Sequence, residues 1–339
     1  MPQRRKLTQH QLWCKFGSNI GTTLNKSDRF RHNTIGTWQN AVESERMPLR
    51  IVQSKQNSRL KELRAALARP GSGDRSLAGL IGIEGPNLIA EALRSGIELN
   101  TVFVAQGSER LLEGFGIPDD VEVLVTPLSL LTSALVTETP QPVAALVTPP
   151  RWSWEHLIAP RRSSAPLILV LAGLQDPGNL GTILRSAEAF GATGIVTLPG
   201  TVSAWNPKAV RASAGSVFRV PIISSTAEDC IPRLHRAEIT IFATGSRAAT
   251  EAQQANLTLP VALVIGNEGN GLPSSLVARA DATITIPCPG PVESLNAAVA
   301  ASVLLYEAAR QRAESGRVRH GGAGAPSEGL RRAAARTAR

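Results

Sequence analysis

Gly266-Asn-Glu-Gly-Asn-Gly-Leu-Pro273, then Ile284-Thr-Ile-Pro-Cys-Pro-Gly-Pro-Val-Glu-Ser-Leu-Asn296 and an Ala-rich segment ending Leu304-Leu-Tyr-Glu307, decide how the chain is read. An apolar run, Val261-Ala-Leu-Val-Ile265, reads as a short buried strand that delivers the glycines to its carboxyl end. Three glycines in six residues allow torsions and close approaches that other residues resist. Ile284 to Ile286 reads as a second strand, broken by prolines and a glycine into a rigid loop, and Ser294 reads as the N-cap of the following helix. Two strand ends, two loops rich in backbone N–H and C=O groups and a helix start make a cradle for a small molecule in an open α/β sheet. The plainer alternative is a pair of ordinary turns.

Outward from this stretch, residues 166–309 read as one α/β domain. Leu167-Ile-Leu-Val-Leu171 has the unbroken apolar character of a strand buried on both faces. A turn, Gly173 to Asn179, leads into a helix from Leu180 to Phe190 and a strand from Gly194 to Leu198. Lys208 to Ser216 starts a helix or turn leading to Phe218-Arg-Val-Pro-Ile222, and Ile239 to Ala243 joins the parallel set. Residues 48–148 read as a smaller α/β domain. Its helices are Ser58 to Leu67, Pro86 to Ser95 and Pro127 to Leu135; its strands are Leu80 to Glu84, Thr101 to Ala105, Val121 to Val125 and Val143 to Val147. Residues 149–165, with several prolines, Trp152, Trp154 and Arg161-Arg162, read as a linker. The tryptophans read as pins holding it to the adjacent domain, with base stacking as the alternative.

The 339 residues carry a net charge of +9 and a pI near 10.3, which at first sight suggests nucleic acid. The excess lies in the ends. Residues 1–46 hold eight basic and three acidic side chains, and 310–339 hold eight and two, so the intervening chain is slightly acidic. RNA contacts by the folded part must therefore rest on local clusters such as Lys55, Arg59 and Lys61. Residues 1–46 read as disordered or as an extension preceding a true start at Met47, and 310–339 as a disordered basic tail.

Several chemistries find no footing. No Gly-x-Gly-x-x-Gly follows a strand, no phosphate-binding Gly-x-x-x-x-Gly-Lys-[Ser/Thr] occurs, and the five histidines fall outside the motifs. Cys14, Cys230 and Cys288 show no metal-ligand spacing, so no metal is expected and a reducing cytoplasm fits. No apolar run reaches the roughly 20 residues of a membrane span.

With Asn179-Leu-Gly-Thr-Ile-Leu-Arg185 upstream, the opening stretch closely resembles the three motifs of the SpoU (TrmH-type) RNA ribose methyltransferases of the SPOUT superfamily. The resemblance runs from about Ile51 to Glu307. Ser54-Lys-Gln-Asn57 with Lys61, Ile83-Glu-Gly85 and Glu91-Ala92 resemble that family's RNA substrate-binding domain. It implies a C-terminal SPOUT domain with a deep trefoil knot, a homodimer through that domain, and methyl transfer from S-adenosylmethionine to a ribose 2′-hydroxyl. The expected RNA is 23S rRNA; a tRNA enzyme or a non-catalytic ribosome-assembly factor are the alternatives. Matching positions imply cofactor binding at Thr244, Gly245, Gly266, Ile286 and Leu295, and handling of the hydroxyl by Arg185. Asn179, Glu268, Ser294 and Asn296 match the polar motif residues. The plain alternatives are an Asx-turn for Asn179, loop capping for Glu268 and an N-cap for Ser294. Asn57 belongs with the first RNA-binding cluster, and Lys208, Arg211, Ser213 and Arg219 match a segment expected to hold RNA phosphate beside the site.

Overall fold

The computed structural model describes residues 49–68, 79–160, 164–246, 248–267 and 269–321, the last six by backbone alone. Residues 1–46 and Met47, 322–339 and the candidate Glu268 lie outside the described residues.

The first sheet contains β1 (Leu49–Ile51), β2 (Ile81–Glu84), β3 (Leu99–Ala105), β4 (Glu122–Thr126) and β5 (Val143–Val147), with helices α1 (Ser58–Ala68), α2 (Pro86–Arg94) and α3 (Leu128–Thr132). Its order is β1-β4-β3-β5-β2, parallel from β1 to β3 and antiparallel through β5 to β2. Alternation sorts its side chains: Val102, Val104, Val123 and Val125 join the core with Ile89 of α2, while Phe103, Leu124 and Leu146 join Leu63 of α1 and Leu131 of α3. Glu84 ends β2 nearly buried. Its Oε1 accepts the Thr137 hydroxyl at 2.7 Å and the Gln141 N–H at 2.8 Å, which ties down that loop.

The second sheet contains β6 (Leu167–Leu171), β7 (Gly194–Thr197), β8 (Ile222–Ser224), β9 (Thr240–Thr244), β10 (Thr250–Glu251), β11 (Val261–Ile265) and β12 (Ala282–Thr285). Every pairing in it is parallel, in the order β10-β12-β9-β11-β6-β7-β8. Helices α4 (Trp154–Ile158), α5 (Pro177–Ala189), α6 (Pro207–Ala212), α7 (Ala227–Arg236), α8 (Ser274–Val277) and α9 (Ala297–Gly321) accompany it. Both faces are covered. Leu167, Leu169 and Leu171 share a core with α5 and α9, while Ile168 and Val170 share the other with α4, α7 and α8. That is why β6 is apolar at every position. The first of these cores runs on without a break into the α2 side of the first sheet.

Two expectations are corrected. The linker contains α4, whose Leu157 is fully buried and lies where a Cβ on Gly194 would stand. Trp154 packs against that core, with the Arg233 guanidinium 5.6 Å from its ring, so it serves as a pin. Between α6 and β8 lies a tight 3-10 turn at Ser216–Phe218, which Gly215 opens at φ +88°. Finally, α9 continues past 309 to Gly321. Arg312 explains why: it donates to the carbonyls of Ala165 (2.5 Å), Pro166 (3.0 Å), Leu257 (2.9 Å) and Leu259 (2.9 Å), stapling α9 to the starts of β6 and β11.

Candidate active site

Parallel register brings four segments together at the carboxyl end of the second sheet: the β6–α5 turn, the end of β9, the loop after β11, and the chain from β12 to α9. Asp176 caps α5, its Oδ1 accepting the Gly178 N–H at 2.8 Å and the Lys208 ammonium at 3.2 Å. The Gly178 N–H, helped by Lys208 and opposed by slight desolvation, holds this carboxyl below the usual range. Gly181, one turn on, lets α5 meet α6: a Cβ there would stand 2.5 Å from the Ala209 carbonyl oxygen.

The glycine loop after β11 is tied to the β6–α5 turn through one side chain. Asn267 and Gly271 exchange backbone hydrogen bonds of 3.1 and 2.9 Å, and a Cβ on Gly266 would collide with the Gly271 carbonyl carbon. Asn267 Oδ1 accepts the N–H groups of Gly269 (2.8 Å) and Asn270 (3.3 Å), while its Nδ2 donates to the Gly173 carbonyl at 2.8 Å. Sequence reasoning passed over Asn267. The signal was present, since an Asn flanked by glycines at a strand end is an Asx-turn former.

On the other side, Thr244 Oγ1 donates to the Val264 carbonyl at 2.8 Å, and the Gly245 N–H donates to the Ile284 carbonyl at 3.0 Å. Among the described residues nothing stands within 4 Å of a Cβ built on Gly245. Ile286 packs half-buried on the core, and Leu295 is half-buried as well. The cap of α9 is Asn296, not Ser294. Asn296 Oδ1 accepts the N–H groups of Ala298 (2.9 Å) and Val299 (3.3 Å), whereas Ser294 is exposed two residues too early to reach them. Asn296 Nδ2 then donates to Asn179 Oδ1 at 3.1 Å, joining the starts of α9 and α5.

The donor set here is main chain plus apolar side chains. Among Thr244, Gly245, Gly266, Ile286 and Leu295 there is no cation for a nucleotide phosphate. An adenosine bearing a thioether or sulfonium carries no phosphate, and these residues fit it.

A family model described as "SpoU rRNA Methylase family" matches residues 166–306. An uncharacterized tRNA/rRNA methyltransferase from Mycolicibacterium vanbaalenii is 33% identical over 237 residues, covering 67% of this chain and 76% of the relative. The chain belongs to the SpoU rRNA methylase family. A second relative is the 23S rRNA (guanosine(2553)-2′-O)-methyltransferase RlmP of Bacillus subtilis, 29% identical over 76% of this chain and 98% of that protein. Among solved structures, the SpoU methyltransferase AviRb from Streptomyces viridochromogenes with AdoMet is 30% identical at a TM-score of 0.67, over 76% of this chain and 99% of that one. An AdoMet-bound rRNA methyltransferase from Sinorhizobium meliloti is 31% identical at the same TM-score, over 77% and 98%.

Against this SpoU frame, the structure joins some expected residues and separates others. Asn179 and Asn296 meet, and the five cofactor candidates lie on neighbouring segments of one sheet end. Arg185 sits six residues beyond Asn179 on α5, about 9 Å along its axis. It is exposed, with no hydrogen bond or ion pair to any described residue. Arg211 is exposed on α6, Lys208 is paired with Asp176, and Ser213 is buried with its hydroxyl on the Val210 carbonyl at 2.7 Å. In the first module, Lys55 and Lys61 are exposed, whereas Arg59 is engaged by Glu62 and Glu122 and Asn57 caps α1 through the Leu60 N–H at 3.2 Å. Arg219 is not available to phosphate: Glu188 and Glu91 both hold its guanidinium.

Proposed function

We propose that this protein is an S-adenosylmethionine-dependent RNA 2′-O-methyltransferase and that its substrate is 23S rRNA. The observation that carries the reading is the convergence of all three motifs at one sheet end, with Asn267 bonded to Gly173 and Asn296 to Asn179. The 23S rRNA assignment draws on RlmP, which aligns along nearly its whole length, first module included. Such a substrate puts the protein in the cytoplasm. No described helix is long and apolar enough to cross a membrane.

Thr244, Gly245, Gly266, Ile286 and Leu295 would hold the cofactor, mainly through main chain. When bound, it would supply a sulfonium-activated methyl for the ribose oxygen, with its sulfur as the leaving group. Because that methyl is already electrophilic, the chain's task is orientation and care of a weakly acidic hydroxyl. The Arg185 guanidinium offers N–H donors and no acceptor, so it is suited to donate hydrogen bonds to a developing negative charge rather than to act as a base. It stabilises the oxygen as it loses its proton to water or to an RNA phosphate. Asn179 and Asn296 hold α5 and α9 in register, and Ser294, exposed beside them, would contact the RNA. Lys55 and Lys61 contact RNA backbone from the first module, with Lys208 and Arg211 beside the site.

We further infer the family's trefoil knot over the β9–α9 region. The sheet order supports it, since β11 inserts between β9 and β6 while β12 returns to the far side of β9. A homodimer through this module is supported by an apolar strip on α5 and α9. Val299, Val303 and Tyr306 are exposed there, with Phe190 stacked edge-on to Tyr306 at 5.9 Å. Arg185 lies one turn from Thr182 on the rim of that strip.

The test is transfer of labelled methyl from S-adenosylmethionine to separated, unmodified 23S rRNA, 16S rRNA and tRNA. Alkali-resistant label in a 23S dinucleotide is expected. Label in tRNA alone would replace the substrate, and absence of both label and cofactor binding would overturn the enzyme reading.

A further inference from the structure

At the junction of the two modules four side chains form a chain of alternating charge: Glu188, Arg219, Glu91 and Arg94. Glu188 belongs to α5, three residues beyond Arg185, whereas Glu91 and Arg94 belong to α2 of the first module. Arg219 grips Glu188 with two nitrogens, Nε to Oε1 at 2.5 Å and Nη2 to Oε2 at 3.0 Å. Its Nη1 donates across the junction to Glu91 Oε2 at 2.8 Å and to Ser95 Oγ at 2.9 Å. Arg94 Nη2 closes the chain on Glu91 Oε1 at 2.5 Å. The group is about two-thirds covered at its centre, with Arg219 and Glu91 35% and 27% exposed. Beside it the backbone is as close as packing permits: a Cβ on Gly215 would stand 2.7 Å from Glu91 Cβ.

This arrangement does more than neutralise charge. Two carboxylates from different modules converge on one planar cation, and the fork of an arginine fixes direction as well as distance. Without a cation between them, Glu91 and Glu188 would face each other across the junction and push it apart.

We propose that Arg219 is a positioning residue, through which the Glu188–Arg219–Glu91 chain locks the first module at a fixed separation from helix α5 and so sets which RNA can reach both at once. The inference rests on the reading that the first module contacts RNA and α5 carries the methyl-transfer arginine. Two contact surfaces held rigidly make the second contact intramolecular, and a loosened junction dilutes it.

The test compares the full-length wild type with Glu91→Gln and Glu91→Lys, each checked to be folded, with a cooperative melting transition well above the assay temperature. An unmodified 23S rRNA transcript is the substrate, and small-angle scattering reports module separation. Glu91→Lys places a third cation against Arg219 and Arg94. It is expected to raise KM for the transcript about tenfold, to leave kcat and S-adenosylmethionine affinity unchanged, and to enlarge the radius of gyration. Glu91→Gln should shift KM the same way by less. The added positive charge would by itself tighten RNA binding, so a raised KM cannot come from lost electrostatics. An unchanged KM, or a fall in kcat alone, would overturn the latch. If the wild type methylates no transcript, the functional reading fails; scattering then decides the latch separately, an unchanged radius of gyration in Glu91→Lys counting against it.

Discussion

Asn267 shows how much a single side chain settles here. It spends both amide atoms, accepting from two N–H groups of its own loop and donating to Gly173 across the sheet end. Asn267→Ala should cost about 1–3 kcal/mol in urea unfolding, the range for a handful of lost hydrogen bonds, and should weaken S-adenosylmethionine binding measured by calorimetry. An unchanged affinity would separate the loop from the cofactor. Arg312 is the second such residue. Burial pushes its guanidinium pKa down, yet four carbonyls receive it. Arg312→Ala leaves those carbonyls short of a donor and should destabilise by about 2–4 kcal/mol, read from a denaturant melt. Neither residue stood out in the sequence. Asn267 was hidden between more conspicuous glycines, and Arg312 sits in an Arg- and Ala-rich run whose composition imitates a loose tail. The carbonyl partners of Arg312 lie 53 to 147 positions away, which local pattern cannot reveal.

At the scale of elements, the long apolar runs were legible because both faces of the second sheet are covered. Leu167–Leu171, Val143–Val147 and Val261–Ile265 are strands with the expected bounds. What escaped were elements whose signal is short or contradictory. β10 is a two-residue edge strand, and α7 contains Pro232, whose missing N–H argues against a helix until Cys230, Ile231 and Leu234 are seen packed on the sheet. The start of α9 was placed two residues early because Ser294 is a good cap by type. Asn296 takes the role and also reaches Asn179. Asn296→Ala should therefore lower stability by about 1 kcal/mol, as loss of a cap does, whereas Ser294→Ala should leave the melt unchanged. Equal effects would return the cap to Ser294.

Over the whole molecule, the sequence conveyed two α/β modules and an RNA ribose methyltransferase, but not how the modules join. Arg219 read as an RNA contact because its family segment lies near the site, while its carboxylate partners come from two other helices. Charge pairing also makes the fold acid-sensitive. Partial burial pushes the Glu91 carboxyl up, but hydrogen bonds from Arg94 and Arg219 hold it below the usual range. Glu307 is held low by Arg310, and Asp176 by the Gly178 N–H. Groups depressed in the folded state contribute fully above the unfolded carboxylate values near about pH 4, and that contribution disappears as pH falls through the lower folded values. Melting temperature should thus hold steady from neutral pH down to this range and drop below it; Glu91→Gln should flatten part of the drop. We propose that this SpoU site moves a methyl group with Arg185 at the reacting oxygen. Single-turnover methylation of 23S rRNA by wild type and Arg185→Ala, alongside affinities for S-adenosylmethionine and RNA, tests it most directly. A rate loss of about 10²–10³-fold with both affinities retained is expected. An unchanged rate in Arg185→Ala would contradict it.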